Sequence, residues 1–269
     1  MRRLVVGCGY LGERVARFWC DAGDEVYATT RGARVEALSR AGLHPLTLDV
    51  TQEVADGVLP EADTVVFAVG RSQEATMSDI HVRGLRTVLD ALPGSTGRVI
   101  YVSSTGVYGQ NTGEWVDEES VCEPAHAGGR ACLSGERMLF AHERGRDAVV
   151  LRLAGLYGEG RVPLKADVLA SRAIAGSPDT YLNLIHVEDA ARTIVTAAAS
   201  GAVAGRTYNV SDGCPLTREE YVALVGGWLQ GPPPKFEGGG GLGKRVRNDR
   251  AINELGLQLR HPFPRSDIL

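Results

Sequence analysis

The chain has 269 residues, 29 of them basic and 33 acidic, for a net charge of −4 at neutral pH. That length suits one large domain or two small ones with a buried core, and the charge leaves no general basic surface for nucleic acid or an anionic membrane. Hydrophobic residues make up 43% and charged residues 23%, the balance of a soluble globule, but the 34 glycines are well above the usual share of about 7%. No collagen-like period accounts for them, so they are needed singly, in turns and close backbone approaches, or in a loose loop. The cysteines are Cys8, Cys20, Cys122, Cys132 and Cys214, with no C-x-x-C among them. Neither a disulfide framework nor a metal site is suggested, and a cytoplasmic setting fits best. Glu13 and Arg14 interrupt the apolar start too early for a signal peptide. No stretch reaches the ~18 apolar residues of a membrane helix.

The predicted elements of the first half alternate between two periods. Residues 3–6 form a short apolar run and read as a buried strand, and residues 12–22 carry Val15, Ala16, Phe18 and Trp19 at helical spacing. Residues 25–30 read as a second strand, 35–40 as a weak helix, 45–50 as a third strand and 63–69 as a fourth. Residues 79–91 place Ile80, Val82, Leu85, Val88 and Leu89 on one helical stripe. A fifth strand is expected at 98–102, a helix at 130–142 and a sixth strand at 148–153. Strands alternating with helices imply a parallel sheet covered on both faces. The second half is less regular, with a helix at 187–199, a strand at 206–210 and a helix at 217–229 opened by Thr217 and Glu220 at capping-box spacing. Residues 231–244 read as a mobile loop or lid, and the acidic run Asp117-Glu118-Glu119 as a solvated loop.

Gly7-Cys8-Gly9-Tyr10-Leu11-Gly12 is G-x-G-x-x-G between a predicted strand and a predicted helix, the context that gives the motif its meaning. Gly7 allows the tight turn, Gly9 lets the backbone approach a pyrophosphate, and Gly12 lets the helix pack close to the sheet. Tyr10 and Leu11 complete the turn, and the helix start offers N–H groups to phosphate. The second strand ends Thr29-Thr30-Arg31, with no acid for a ribose 2′-hydroxyl. Thr30 and Arg31 therefore favour NADP, with its 2′-phosphate, over NAD.

Several segments then fall in a recognisable order: VVGCGYLG (5–12), LDV (48–50), VVFAVG (65–70), VIYVSSTGVYG (99–109), LRLAGLYGEG (151–160), LIHVEDAA (184–191) and YNVSDG (208–213). Together they resemble the extended short-chain dehydrogenase/reductases, the NAD-dependent epimerase/dehydratase family, over residues 3–260 or so. The resemblance implies an α/β fold, a Rossmann doubly wound parallel sheet with a smaller C-terminal substrate-binding domain. Residues 1–160, with 184–212 returning to them, would bind the dinucleotide, and 161–183 with 213–269 the substrate. It implies that Asp49 and Val50 lie near adenine, and that Ala68, Val69 and Gly70 lie along the cofactor ribose and nicotinamide side. Ser103 would border the cofactor, and Ser104 matches the catalytic serine or threonine. The helices at 79–91 and 130–142 would form a homodimer interface; alternatively their apolar stripes face the sheet.

The resemblance also implies a Tyr-x-x-x-Lys pair, in which the lysine lowers the tyrosine pKa from near 10 so that the phenol serves as acid/base. No tyrosine of this chain is followed four residues on by lysine. At the matching place stand Gly128 and Cys132, which resembles an atypical branch of the family. Tyr108 and His186 are candidate substitutes, each with an alternative packing role. Cys132 is either a low-pKa thiol or a small buried filler. His126 and Tyr181 receive no assignment, and Glu136 reads most simply as a helix-face carboxylate paired with an arginine. Two readings follow. One is an NADP(H)-dependent oxidoreductase or epimerase on a small polar or nucleotide-sugar-like substrate. The other is a catalytically inactive dinucleotide-binding redox sensor.

Overall fold

Runs such as Leu4-Val5-Val6 and Val65-Val66-Phe67 have no polar face, so both sides of each strand must be covered. In a computed structural model of the chain, which describes residues 1–231 and 235–261, these runs form the middle of a seven-stranded parallel sheet. The strands of the first half are β1 (Arg2–Val6), β2 (Glu25–Thr30), β3 (His44–Thr47), β4 (Thr64–Phe67), β5 (Arg98–Ser104), β6 (Thr112–Val116) and β7 (Val149–Leu153). Those of the second half are β8 (Gly155–Tyr157), β9 (Ile174–Ala175), β10 (Tyr181–Leu182), β11 (Leu184–His186), β12 (Arg206–Val210), β13 (Leu216–Thr217), β14 (Phe236–Glu237) and β15 (Gly243–Val246). The large sheet runs β3-β2-β1-β4-β5-β7-β12, with every neighbouring pair parallel. This is the doubly wound Rossmann order.

The helices are α1 (Gly12–Asp21), α2 (Val35–Arg40), α3 (Leu85–Ala91), α4 (Ala127–Ala141), α5 (Lys165–Leu169), α6 (Val187–Ala199), α7 (Arg218–Leu229) and α8 (Asp249–Leu255). Val15, Ala16 and Trp19 of α1 pack with Ala190, Ala191 and Ile194 of α6 over one face of the sheet. Ile80, Leu85, Val88 and Leu89 pack with Met138 and Leu139 of α4 over the other. The stripe at 79–91 therefore does face the sheet, but its first turn is wider than expected, a π-helix over Asp79–Gly84. A smaller core gathers Tyr157, Val168, Ile174, Leu184, Tyr221, Val222 and Val225 beside the sheet. The capping box of α7 forms as the spacing predicts, with Thr217 Oγ1 accepting from Glu220 N at 3.2 Å and Glu220 Oε2 from Thr217 N at 2.8 Å.

Two expectations need correction. The stretch 231–244 is more than a loop in its described part: β14 pairs with β9, and β15 pairs with β6. Residues 232–234 of that stretch, and 262–269 of the expected substrate-binding domain, lie outside the described residues. The acidic run is not simply solvated either. The Glu118 side chain is only 4% exposed, and its Oε1 accepts from Asn209 N at 2.7 Å. It thus closes a backbone donor on the edge strand β12, which a sheet otherwise leaves open. Burial pushes the Glu118 carboxyl above its ordinary range.

Asp212, just past β12, is buried, and its Oδ2 has no partner among the described residues. Burial raises its carboxyl to about 6. The unfolded carboxyl loses its proton near its ordinary value, so between there and about 6 the folded state holds the extra proton. Stability from this group falls as pH rises through that window. Asp212→Asn is expected to flatten the fall, gaining up to about 3 kcal/mol over the native chain at neutral pH. Urea midpoints at pH 4.5 and 7.5 check this, and equal differences at the two pH values would refute it.

Candidate functional site

In a doubly wound sheet the crevice lies at the carboxyl ends of the strands, where successive helices go to opposite faces. Here that point lies between β1 and β4. A cleft of about 740 Å³ opens there, lined by Gly7, Gly9, Thr30, Arg31, Asp49, Val50, Ala68, Val69 and Gly70. All nine are residues that the sequence points to. Gly7 has φ +91°, and a Cβ on it would stand 2.7 Å from Val69 N and Cα. A Cβ on Gly12 would stand 2.3 Å from Gly7 O. Gly9 is the opposite case, since a Cβ there meets nothing within 4 Å. The turn is tied to β2 by Gly7 N donating to Thr29 Oγ1 at 2.9 Å and Cys8 N to Thr29 O at 3.2 Å. Leu11 precedes α1 without a side-chain cap, which suits an anion at the helix start. Arg14 and Arg161 lie 4.4 and 5.5 Å from the Tyr10 ring, and its hydroxyl donates to Glu159 O at 3.1 Å. Burial raises its pKa.

At the end of β2, Arg31 Nη1 reaches Ser72 Oγ at 3.4 Å and pairs with Glu74 across the cleft mouth. Arg34 also lines the cleft, donating to Cys8 O and to Glu13 Oε2, both at 2.6 Å. Sequence reasoning passed over Arg34, although it stands three places after Arg31 in the same turn. Asp49 follows β3 and accepts from Thr51 N at 2.9 Å and Thr51 Oγ1 at 2.7 Å. Those bonds hold its carboxyl below the ordinary range.

The far end of the site is built on β5 and α4. Ser103 and Ser104 close β5, and neither is among the residues lining the cleft. Ser104 Oγ accepts from Gly106 N at 3.0 Å. His126 caps α4, its Nδ1 accepting from Gly129 N at 3.0 Å. A Cβ on Gly106 would stand 3.1 Å from His126 Nε2 and 3.2 Å from Ser104 Oγ, so both side chains pack closely against Gly106. A Cβ on Gly128 would touch His126 Nδ1 at 3.4 Å and Met77 Cε at 3.9 Å. The imidazole therefore stands beside the position where the resemblance implies a tyrosine. Sequence reasoning left His126 unassigned; its only local signal is a histidine two residues before Gly128-Gly129.

The substitutes named from sequence sit elsewhere. The Tyr108 hydroxyl donates to Asn209 Oδ1 and accepts from Arg152 Nη1, both at 2.8 Å, inside the protein. Burial pushes it up to about 12, so Tyr108 is corrected to a structural tyrosine. His186 is buried, with Nδ1 accepting from Glu188 N at 3.2 Å as the cap of α6 and its ring stacked on His261 at 4.2 Å. It is likewise not among the residues lining the cleft. Cys132 is buried, and that burial raises its thiol to about 11, which removes the low-pKa reading. Glu136, read from sequence as a carboxylate paired with an arginine, does form an ion pair, with Arg152 at 2.7 Å, but a buried one, and it accepts from the Ser103 hydroxyl. Burial alone would lower the Arg152 pKa, but the bonds and charge of Glu136 hold it above its ordinary value. Among the described residues no cluster of side chains could hold a metal, and no helix is long and apolar enough to cross a membrane.

Residues 3–211 match the model of the NAD dependent epimerase/dehydratase family. Protein YeeZ of Escherichia coli strain K12 is 30% identical over 275 residues, covering 97% of this chain and 96% of that protein. A solved structure of a functionally unknown conserved protein from Silicibacter pomeroyi DSS is 28% identical with TM-score 0.79, over 97% of this chain and 94% of the other. UDP-glucuronic acid 4-epimerase from Bacillus cereus, solved in complex with NAD, superimposes with TM-score 0.83 over 100% and 96% of the two chains. At 17% identity that likeness concerns the fold alone.

Proposed function

Because the chain belongs to the NAD dependent epimerase/dehydratase family, we propose that it is an NADP(H)-dependent oxidoreductase or epimerase acting on a small polar or nucleotide-sugar-like substrate. The observation that carries the cofactor reading is the corner formed by Thr30, Arg31 and Arg34, where no carboxylate stands at the end of β2. Gly7, Gly9, Tyr10, Leu11 and Gly12 would hold the pyrophosphate, Thr30, Arg31 and Arg34 the 2′-phosphate, and Asp49 and Val50 the adenine side. Ala68, Val69 and Gly70 would line the remaining ribose and the nicotinamide, with Ser103 supporting the end of β5. The open face of Gly9 and the size of the cleft suit a ligand of this kind. When bound, the dinucleotide supplies or takes up a hydride. Ser104 would polarise the substrate carbonyl or hydroxyl, with the small core around Tyr221 bordering the substrate.

The Arg31–Glu74 pair is exposed, 58% and 77%, and such a pair is worth only about 0–1 kcal/mol. A phosphate can displace the glutamate at little cost. Arg31→Ala is expected to weaken NADPH binding about 10- to 100-fold, the loss of one charged hydrogen bond, and to leave NADH binding within about threefold. Fluorescence titration of both nucleotides measures this; tighter NADH than NADPH binding by the native chain would sink the assignment.

The sensor reading is favoured by Cys132, whose neutral thiol cannot stand in for an ammonium group. Turnover separates the two. We expect NADPH oxidation with a panel of aldehydes, ketones and nucleotide sugars, lost in Ser104→Ala; tight binding without such turnover favours the sensor. We extend the reading to a cytoplasmic homodimer, supported by five free thiols and by Phe140 of α4, which is 39% exposed.

A further inference from the structure

Resting on the dinucleotide reading of the cleft, we propose that Glu74 sets the cofactor preference, as a built-in competitor that the 2′-phosphate of NADP(H) must displace from Arg31. The end of β2 supplies no carboxylate of its own, yet the fold brings one to Arg31 from 43 residues along the chain, and the two pair. Both residues line the cleft, Arg31 just after β2 and Glu74 on the segment that follows β4. A local turn presents the glutamate, since Ser72 Oγ accepts from Glu74 N at 3.1 Å and from Arg31 Nη1 at 3.4 Å. Among the described residues the Glu74 carboxylate pairs with Arg31 alone. The carboxylate of Asp49, also in the cleft, is instead held by Thr51 N and Oγ1. Arg34 is tied to Cys8 O and Glu13, so it belongs to the glycine turn. Arg31 is the guanidinium whose one ion pair, among the described residues, is with the competitor.

The two dinucleotides meet this pair differently. The ribose 2′-hydroxyl of NAD(H) is neutral and makes no claim on the guanidinium. A 2′-phosphate is strongly negative at neutral pH and suits the forked donors of an arginine. It takes Arg31 from Glu74 and then stands near a like charge, which repels it. The glutamate therefore acts against NADP(H) and leaves NAD(H) alone. Both side chains are exposed, so the exchange is cheap and weakens further in salt. A single carboxylate thus holds the preference for NADP(H) below what Arg31 alone would give.

Glu74→Gln tests it, since the amide keeps the size of the side chain and removes its charge. NADPH Kd should tighten about 3- to 10-fold, the worth of one exposed ion pair together with the relief of like-charge repulsion, while NADH Kd stays within about twofold. High salt should shrink the gain. In an Arg31→Ala background the same substitution should gain clearly less, because the guanidinium competed for is gone. A native chain without affinity for NADPH overturns the cofactor reading and the competitor with it. A native chain that binds NADPH, with Glu74→Gln binding it no tighter, overturns the competitor alone. So does an equal gain in both backgrounds, or an NADH Kd that moves with that of NADPH.

Discussion

Glu136→Ala is expected to destabilise the protein by about 3–5 kcal/mol, the cost of leaving one member of a buried ion pair without its partner. Glu136 and Arg152 are 3% and 6% exposed. Arg152 Nε contacts both carboxylate oxygens, at 3.0 and 3.2 Å, and Nη2 contacts Oε2 at 2.7 Å. The remaining partners are neutral: Tyr108 OH at 2.8 Å from Nη1, and the Ser103 hydroxyl on Glu136. Removing the carboxylate leaves a buried guanidinium with no counter-charge. Because whole domains are stable by only about 5–15 kcal/mol, such a loss should lower the urea midpoint visibly. Glu136→Leu combined with Arg152→Met should recover most of it, since replacing both charges removes the desolvation penalty as well. A loss under about 1 kcal/mol for Glu136→Ala would mean that water reaches the pair.

That pair explains why the site was only partly legible from sequence. The cofactor side is local: Gly7 to Gly12 carry their meaning in spacing and in the strand before and helix after them, and the turn forms where that pattern places it. Thr30 and Arg31 are located by the end of one strand. The side built on β5 and α4 is made of long-range contacts. Ser103 meets Glu136, Glu136 meets Arg152, and Tyr108 meets Asn209, across helix and strands far apart in sequence. No periodicity signals those meetings, so Tyr108 looked available when its hydroxyl was already bonded. His126 was overlooked for a related reason. The helical pattern begins clearly only at Arg130, but α4 starts at Ala127 because the imidazole caps it. The small strands β8 to β11 and β13 to β15 hold too few residues for alternation to register, and their partners are distant.

Gly7→Ala should abolish dinucleotide binding and cost about 2–5 kcal/mol of stability, from a side chain at positive φ and overpacking against backbone. At φ +91° the methyl group would lie 2.7 Å from Val69 N and Cα and 2.8 Å from Ala68 C. Those atoms belong to the segment that follows β4, the next strand of the sheet, and cannot rotate aside as a flexible side chain could. Relief must come from moving the glycine turn off β2, which breaks the bonds of Gly7 N and Cys8 N to Thr29. Gly9→Ala is the matched control. Its methyl meets no protein atom within 4 Å, so stability should stay within about 1 kcal/mol of the native chain. Yet that methyl occupies the open face where a pyrophosphate would approach, so NADPH binding should still fall, by about 10²-fold or more as charged hydrogen bonds to phosphate are lost. Denaturation midpoints and NADPH titrations on the two variants separate a structural glycine from a ligand-facing one. If Gly9→Ala binds NADPH as the native chain does, the turn is a packing device and the phosphates lie elsewhere.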